Sequence, residues 1–267
     1  MKLLFTDLDG TLLNNASQVS PATRAFLDDF LAAGNKLILS SGRPTDSVLE
    51  VKSNAGLNHP GILLCCYNGA QVYECDSRST IMAKRLPLPY VSYLQEQAVK
   101  HHLHIQTYQE NAVVSPADDD EIRFYRTKIH VPLVVSPVLA DALTDGPYKM
   151  LAADLYDHDK LEAFRLEISD WSKGKIQTIY SNDKYLELFR HDAGKGNALH
   201  FVCEHFGVSL SDAYAAGDAE NDISMLQAAG TGIAMCNAPD QVKQTADLVT
   251  RYDNDHDGLA ETMRRLL

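Results

Sequence analysis

The chain is 267 residues long, 45% apolar, and carries a formal net charge of -12 at pH 7. That length supports one large domain or two ordinary ones with a buried core. The acidic balance, with no basic block, argues against nucleic acid or an anionic membrane as the main partner. No run of about 18 apolar residues reads as a membrane span, and the first residues lack the basic and apolar regions of a signal peptide, so a cytoplasmic protein is expected.

The chain opens on "KLLFTDLDGTLL" (2–13), a strand-like apolar run that ends in two carboxylates, Asp7 and Asp9, followed by Gly-Thr. In "SPATRAFLDDFLAAG", Ser20 reads as an N-cap and Pro21 as the first helical residue. Phe26, Leu27, Phe30 and Leu31 form an apolar face and Gly34 the stop. "KLILS" (36–40) and "GILLCCYNG" (61–69) read as second and third buried strands. Strand and helix in alternation imply a parallel sheet with helices on both faces.

The middle of the chain changes character. "QVYECDSRSTIMAKRL" alternates like a hairpin, "PYVSYLQEQAVKHH" has a helical period, and "KGKIQTIYSNDKYLELF" (173–189) reads as two strands joined around Asn182-Asp183. From Gly194 the first pattern resumes, with helices in "GNALHFVCEHFG", "NDISMLQAAG" and "DGLAETMRRLL" and strands in "AYAAG", "GIAM" and "DLVT". The expected fold is α/β: a Rossmann-like parallel-sheet core, residues 1–83 and 189–267, interrupted by an inserted α+β domain at 84–188.

In open α/β sheets ligands sit beyond the carboxyl ends of the strands. Asp7 ends the first strand, Ser41-Gly42-Arg43 follows the second, Lys195 precedes a helix, and Asp218 follows "AYAA". Residues i and i+2 of an extended segment lie roughly 7 Å apart on one side, so Asp7 and Asp9 can flank one reacting group. If Asp218 and Asp222 join that edge, each pair of like charges within about 4 Å repels by about 4 kcal/mol at a surface-like dielectric. A cation resolves this, and oxygen ligands without His or Cys suit Mg²⁺. Taken singly, an Asp at a strand end also reads as a turn residue or helix cap.

Ser41 offers a hydroxyl and Gly42 a backbone N–H suited to phosphate oxygens. Lys195 opposes the dipole at its helix N-terminus unless an anion binds there, and Gly194 and Gly196 leave the backbone open to one. Alone, it also reads as a solvated surface lysine.

Together, "DLDGT" (7–11), Ser41-Gly42, Lys195 and "GDAEND" (217–222) resemble the four motifs of the haloacid dehalogenase (HAD) superfamily. "SSGRP", "YNGA", "GKGNAL", "GDAENDISML", "GIAMCNA" and "DNDHDG" narrow the resemblance to the Cof-like phosphatases, which carry a large α/β cap. The resemblance implies Asp7 as nucleophile and Asp9 as acid/base. It implies a Mg²⁺ held by the Asp7 and Asp218 side chains and the Asp9 carbonyl, with Asp222 supporting the metal or Lys195. Ser41, Gly42, Lys195 and Asn221 hold the phosphoryl oxygens, and Thr11 supports the loop. Arg43 either touches substrate or forms a salt bridge within the core.

The implied activity is a phosphomonoesterase acting on a small phosphate ester, a sugar phosphate foremost. The alternatives are a phosphotransferase or mutase of the same superfamily and a non-enzymatic phospho-receiver. Asp9 and a cap of about 100 residues weigh against the receiver.

Four further signals carry less weight. The five cysteines are odd in number and show no CxxC spacing, so neither a disulfide framework nor a zinc site is expected. "DNDHDG" (253–258) lacks the closing Glu of an EF-hand, and Asp257 is expected to cap the last helix. "KHHLH" (100–104) reads as a helix end and "DDDE" (118–121) as a solvated loop.

Overall fold

The computed structural model describes residues 1–109, 112–127 and 129–267. In chain order the strands are β1 (Leu3–Asp7), β2 (Lys36–Ser40), β3 (Ile62–Cys66), β4 (Gln71–Glu74), β5 (Ser79–Ala83), β6 (His104–Gln109), β7 (Ala112–Ser115), β8 (Leu133–Val135), β9 (Lys149–Ala153), β10 (Ile176–Asn182), β11 (Tyr185–Arg190), β12 (Ala213–Gly217), β13 (Thr231–Ala234) and β14 (Leu248–Val249). Among the described residues they form an eight-stranded sheet, β14-β13-β12-β1-β2-β3-β4-β5, and a six-stranded sheet, β10-β11-β9-β6-β7-β8.

In the first sheet β14 through β3 pair in parallel, and β4 turns back antiparallel to β3. The hairpin read in "QVYECDSRSTIMAKRL" therefore extends the parallel sheet at its edge. From β1 the chain builds outward to β2 and β3, then later returns to β12 on the other side of β1. The direction of winding reverses between β1 and β12, where ligands bind in such sheets.

Helices form where expected, for the expected local reasons. Ser20 caps the helix Pro21–Ala32 by accepting from the Thr23 amide at 3.0 Å, and Phe26, Leu27, Phe30 and Leu31 are buried. The helix Lys195–Phe206 packs Ala198, Leu199, Val202 and Cys203 against Leu3, Phe5, Ile38 and Leu63 of the sheet. Each of the leucine, valine, isoleucine and phenylalanine side chains contributes about 1.5–3 kcal/mol when fully buried, and this packing fixes where Lys195 begins the helix. The cap of the last helix differs from expectation. Asp257 precedes Gly258–Leu266 but makes no side-chain bond to that helix; its carboxylate accepts instead from the Ser20 and Thr23 hydroxyls, so it ties the first helix to the last.

By internal contacts the chain divides into one unit of Met1–Gly42, Val48–Met82 and Gly194–Leu267, and a second of Arg43–Ser47 and Ala83–Ala193. In the second unit, the helices Leu88–Lys100 and His158–Glu167 cover one face of the six-stranded sheet through Val91, Leu94, Leu161 and Phe164. "KHHLH" ends the first of these helices, but His104 already belongs to β6 and is buried. Both its ring nitrogens are occupied, by Asp119 at 2.8 Å and Gln106 at 3.0 Å. "DDDE" is no solvated loop: Asp119 caps the helix Asp120–Arg126, accepting from the Ile122 amide at 3.1 Å. Acids gathered at a helix start complement its dipole. No helix among the described residues is long and apolar enough to cross a membrane.

Candidate active site

β1 places Asp7 at its carboxyl end, buried. The strand ends at Asp7, and Asp9 follows in the loop, bridged to Leu13. The loop curls through bonds from the Leu12 amide to the Asp7 carbonyl (3.2 Å) and from the Leu13 amide to the Leu8 carbonyl (2.8 Å), leaving Asp9 exposed. Gly10 makes this turn possible. Its φ is +82°, and a Cβ there would lie 2.4 Å from Asp218 Oδ2. Asn237 Nδ2 holds the Gly10 carbonyl at 2.8 Å, a contact from distant sequence that no local pattern discloses.

Lys195, 1% exposed, donates from Nζ to Asp7 Oδ1 and Asp222 Oδ1, each at 2.6 Å, and to the Ser40 carbonyl at 3.3 Å. The solvated-lysine alternative is thereby excluded. Asp222 Oδ2 accepts from the Asp218 and Ala219 amides, both at 3.0 Å, so both of its oxygens are engaged. Thr11 Oγ1 donates to Asp218 Oδ1 at 2.9 Å. Ser41 is buried just beyond β2, and its carbonyl accepts from the Asn68 amide at 3.0 Å. Asn221 Nδ2 donates to Asn68 Oδ1 at 3.0 Å. Arg43 is half-buried and groups with the second unit. In the sequence Asn68 stands only within "YNGA", with no role of its own; its place beside Ser41 and Asn221 is what the fold adds.

Oxygens of Asp7, Asp218 and Asp222 lie within 4.8 Å of one another. Since Asp222 is bound by Lys195 and two amides, the oxygens open to a cation are Asp7 Oδ2 and Asp218 Oδ2. Burial first, then the charges of Asp222, Asp218 and Asp9, raise the Asp7 carboxyl well above the usual range against the pull of Lys195. Burial and the charges of Asp222 and Asp9 push Asp218 up to about 6, against the Thr11 bond and Lys195. For Lys195, burial opposes the charge, but Asp222 and Asp7 outweigh it and hold the ammonium protonated. Three carboxylates thus share one ammonium. The cluster is short of positive charge, and its donor set, all oxygen, fits a hard divalent cation.

A protein-family model described as haloacid dehalogenase-like hydrolase matches residues 4–263. The crystal structure of a haloacid dehalogenase-like hydrolase from Bacteroides thetaiotaomicron superposes with a TM-score of 0.89 at 31% identity, covering 100% of this chain and 99% of that one. The pyridoxal phosphate phosphatase YbhA of Escherichia coli (strain K12) is 29% identical over 272 residues, 97% of this chain and 96% of that protein. The 5-amino-6-(5-phospho-D-ribitylamino)uracil phosphatase YwtE of Bacillus subtilis (strain 168) is 28% identical over 300 residues, 100% of this chain and 98% of that protein. With its motifs gathered at the winding reversal of such a sheet, the chain belongs to the haloacid dehalogenase-like hydrolase family and is an enzyme.

Proposed function

We propose that this hydrolase is a Mg²⁺-dependent phosphomonoesterase of small phosphorylated metabolites, sugar phosphates foremost, working through an aspartyl-phosphate on Asp7. The observation that carries the reading is the buried Asp7 held at 2.6 Å by Lys195, with Asp218 beside it in one carboxylate cluster. Both named relatives act on phosphate-bearing compounds with different organic parts. The shared element is what the Asp7–Lys195 centre is built to take.

An oxygen of Asp7 forms the new bond to phosphorus as the ester P–O bond breaks, and Asp9 gives its proton to the leaving oxygen. Asp9 then takes a proton from water, which attacks phosphorus and releases phosphate and free Asp7. Lys195, Ser41, the Gly42 amide and Asn221 hold the phosphoryl oxygens where charge develops. Asp7, Asp218 and the Asp9 carbonyl would hold a Mg²⁺, which would neutralise carboxylate and phosphoryl charge. Hydrolysis of phosphate monoesters is among the slowest uncatalysed reactions, so a preformed set of this size is needed. The inserted unit, expected from the resemblance as a cap, is assigned the selection among esters by their organic part.

The direct test is phosphate release from a panel of sugar, polyol and cofactor phosphates, with Mg²⁺ or with EDTA. Release from at least one ester, lost in EDTA and restored by Mg²⁺, is expected. Absence of release from every ester by folded protein would turn the reading toward phosphoryl transfer to an organic acceptor.

The raised carboxyls give a second expectation. A carboxyl whose folded pKa lies above its unfolded value of about 3.9 binds more protons when folded, so in metal-free protein its contribution to stability falls as pH rises from roughly 4 to 6. Mg²⁺ binds the deprotonated forms. The rise in Tm on adding Mg²⁺ is therefore expected to be larger at about pH 7.5 than at about pH 5. Equal rises, read by differential scanning fluorimetry, would remove Asp7 and Asp218 from the cation site.

A further inference from the structure

Three successive residues after β3, Tyr67, Asn68 and Gly69, have φ values of +51°, +55° and +83°. Glycine takes this left-handed conformation freely and asparagine tolerates it, but a bulky residue such as tyrosine adopts it only when its surroundings compel it. Such strain gathers at functional sites, and here its contacts run to the phosphoryl-binding set.

Asn68, 1% exposed, donates its amide to the Ser41 carbonyl at 3.0 Å and accepts the Asn221 carboxamide at 3.0 Å. A Cβ on Gly42 would lie 3.0 Å from Asn68 Oδ1. Gly69 packs so closely on the entry to the Lys195 helix that a Cβ would sit 2.3 Å from Gly194 and 2.7 Å from the Lys195 nitrogen. One turn thus touches the three segments that carry Ser41-Gly42, Asn221 and Lys195.

The Asn68–Asn221 pair also holds a surplus. Asn68 Nδ2 and Asn221 Oδ1 are buried with no hydrogen-bond partner. Exchanging nitrogen and oxygen in both carboxamides keeps the bond between them and again leaves one donor and one acceptor over. Surplus buried donors are rare in folded proteins and point to a missing partner. A phosphoryl oxygen beside Ser41 and Gly42 is an acceptor of the required kind.

We propose that Asn68 is a positioning residue of the phosphoryl site. Its backbone holds the Ser41 turn, its carboxamide orients Asn221, and the pair offers its surplus N–H to the bound anion. The inference rests on the phosphatase reading and extends it to a residue outside the four motifs.

Asn68→Gly separates the roles, because glycine keeps the left-handed backbone accessible and removes only the carboxamide. Its Tm is expected to equal or exceed the wild-type value. Its affinity for orthovanadate and for inorganic phosphate, measured by calorimetry with Mg²⁺, is expected to fall by about tenfold or more, as is kcat/KM for the best ester. Asn68→Asp keeps the shape and an acceptor for Asn221 but replaces the N–H₂ with negative charge. It is expected to bind orthovanadate more weakly than Asn68→Gly, and it carries the test if the glycine variant does not fold. Wild-type vanadate affinity and kcat/KM in Asn68→Gly, or in Asn68→Asp, would overturn the inference and leave the phosphatase reading standing. Failure of wild-type protein to release phosphate from any ester would strike that reading instead, and the calorimetric comparison would still decide the role of Asn68.

Discussion

Asp7→Asn is expected to abolish turnover, lowering kcat on the order of 10⁴- to 10⁶-fold, as loss of a covalent nucleophile does in other hydrolases. A carboxamide of the same shape cannot form the bond to phosphorus. The fold is expected to survive. Burial and three neighbouring acids already press the Asp7 carboxyl toward its neutral form, so a neutral isostere relieves repulsion even as it gives up the contact with Lys195. The metal-free Tm of the variant is therefore expected to match or exceed the wild-type value. Two measurements check the chemistry: phosphate release under saturating ester, and recovery of a base-labile phosphoryl group on the wild-type chain quenched in turnover but not on the variant. Activity near the wild-type level would sink the nucleophile assignment.

Much of this site could be read from the chain because its parts sit at strand ends, and strand ends are local features. The apolar run 3–6 marks β1, the Ser20-Pro21 cap starts a helix, and Gly194-Lys195-Gly196 announces a helix entry of unusual charge. What escaped depends on where distant segments meet. Nothing near Asp222 indicates that both its oxygens would be taken, by Lys195 and by the amides of Asp218 and Ala219. Of the two roles the resemblance implies for Asp222, support of the metal or of Lys195, that arrangement favours the lysine. Asn68 lies in view within "YNGA" but without a role, because 61–69 reads as one strand and its meaning comes from Ser41 and Asn221 beside it. The reversal of β4 against β3 is a matter of sheet pairing, which composition and period leave open.

Lys195→Met tests the other half of the centre. The methionine keeps the length and loses the charge, so transition-state stabilisation is expected to fall by about 2–4 kcal/mol, roughly 30- to 10³-fold in kcat/KM. Stability should fall as well, since removing one partner of a buried ion pair strands the other; losses of about 3–5 kcal/mol are typical. Two features place this protein toward the lower end. Asp222 retains its two backbone amides, and Asp7 is already biased toward protonation. Without the ammonium the Asp7 carboxyl, which Lys195 pulls down against burial and its acidic neighbours, binds a proton more readily in the fold, so the deficit relative to wild type shrinks as pH falls toward about 5. Lys195→Arg separates charge from geometry. The larger guanidinium restores positive charge but cannot place a compact ammonium 2.6 Å from both carboxylates, so stability should recover more than kcat/KM. Urea denaturation at two pH values, with kcat/KM for all three proteins, decides the matter. An unchanged kcat/KM in Lys195→Met would remove the lysine from the phosphoryl site, and a stability deficit independent of pH would deny that Asp7 relies on it for its charge.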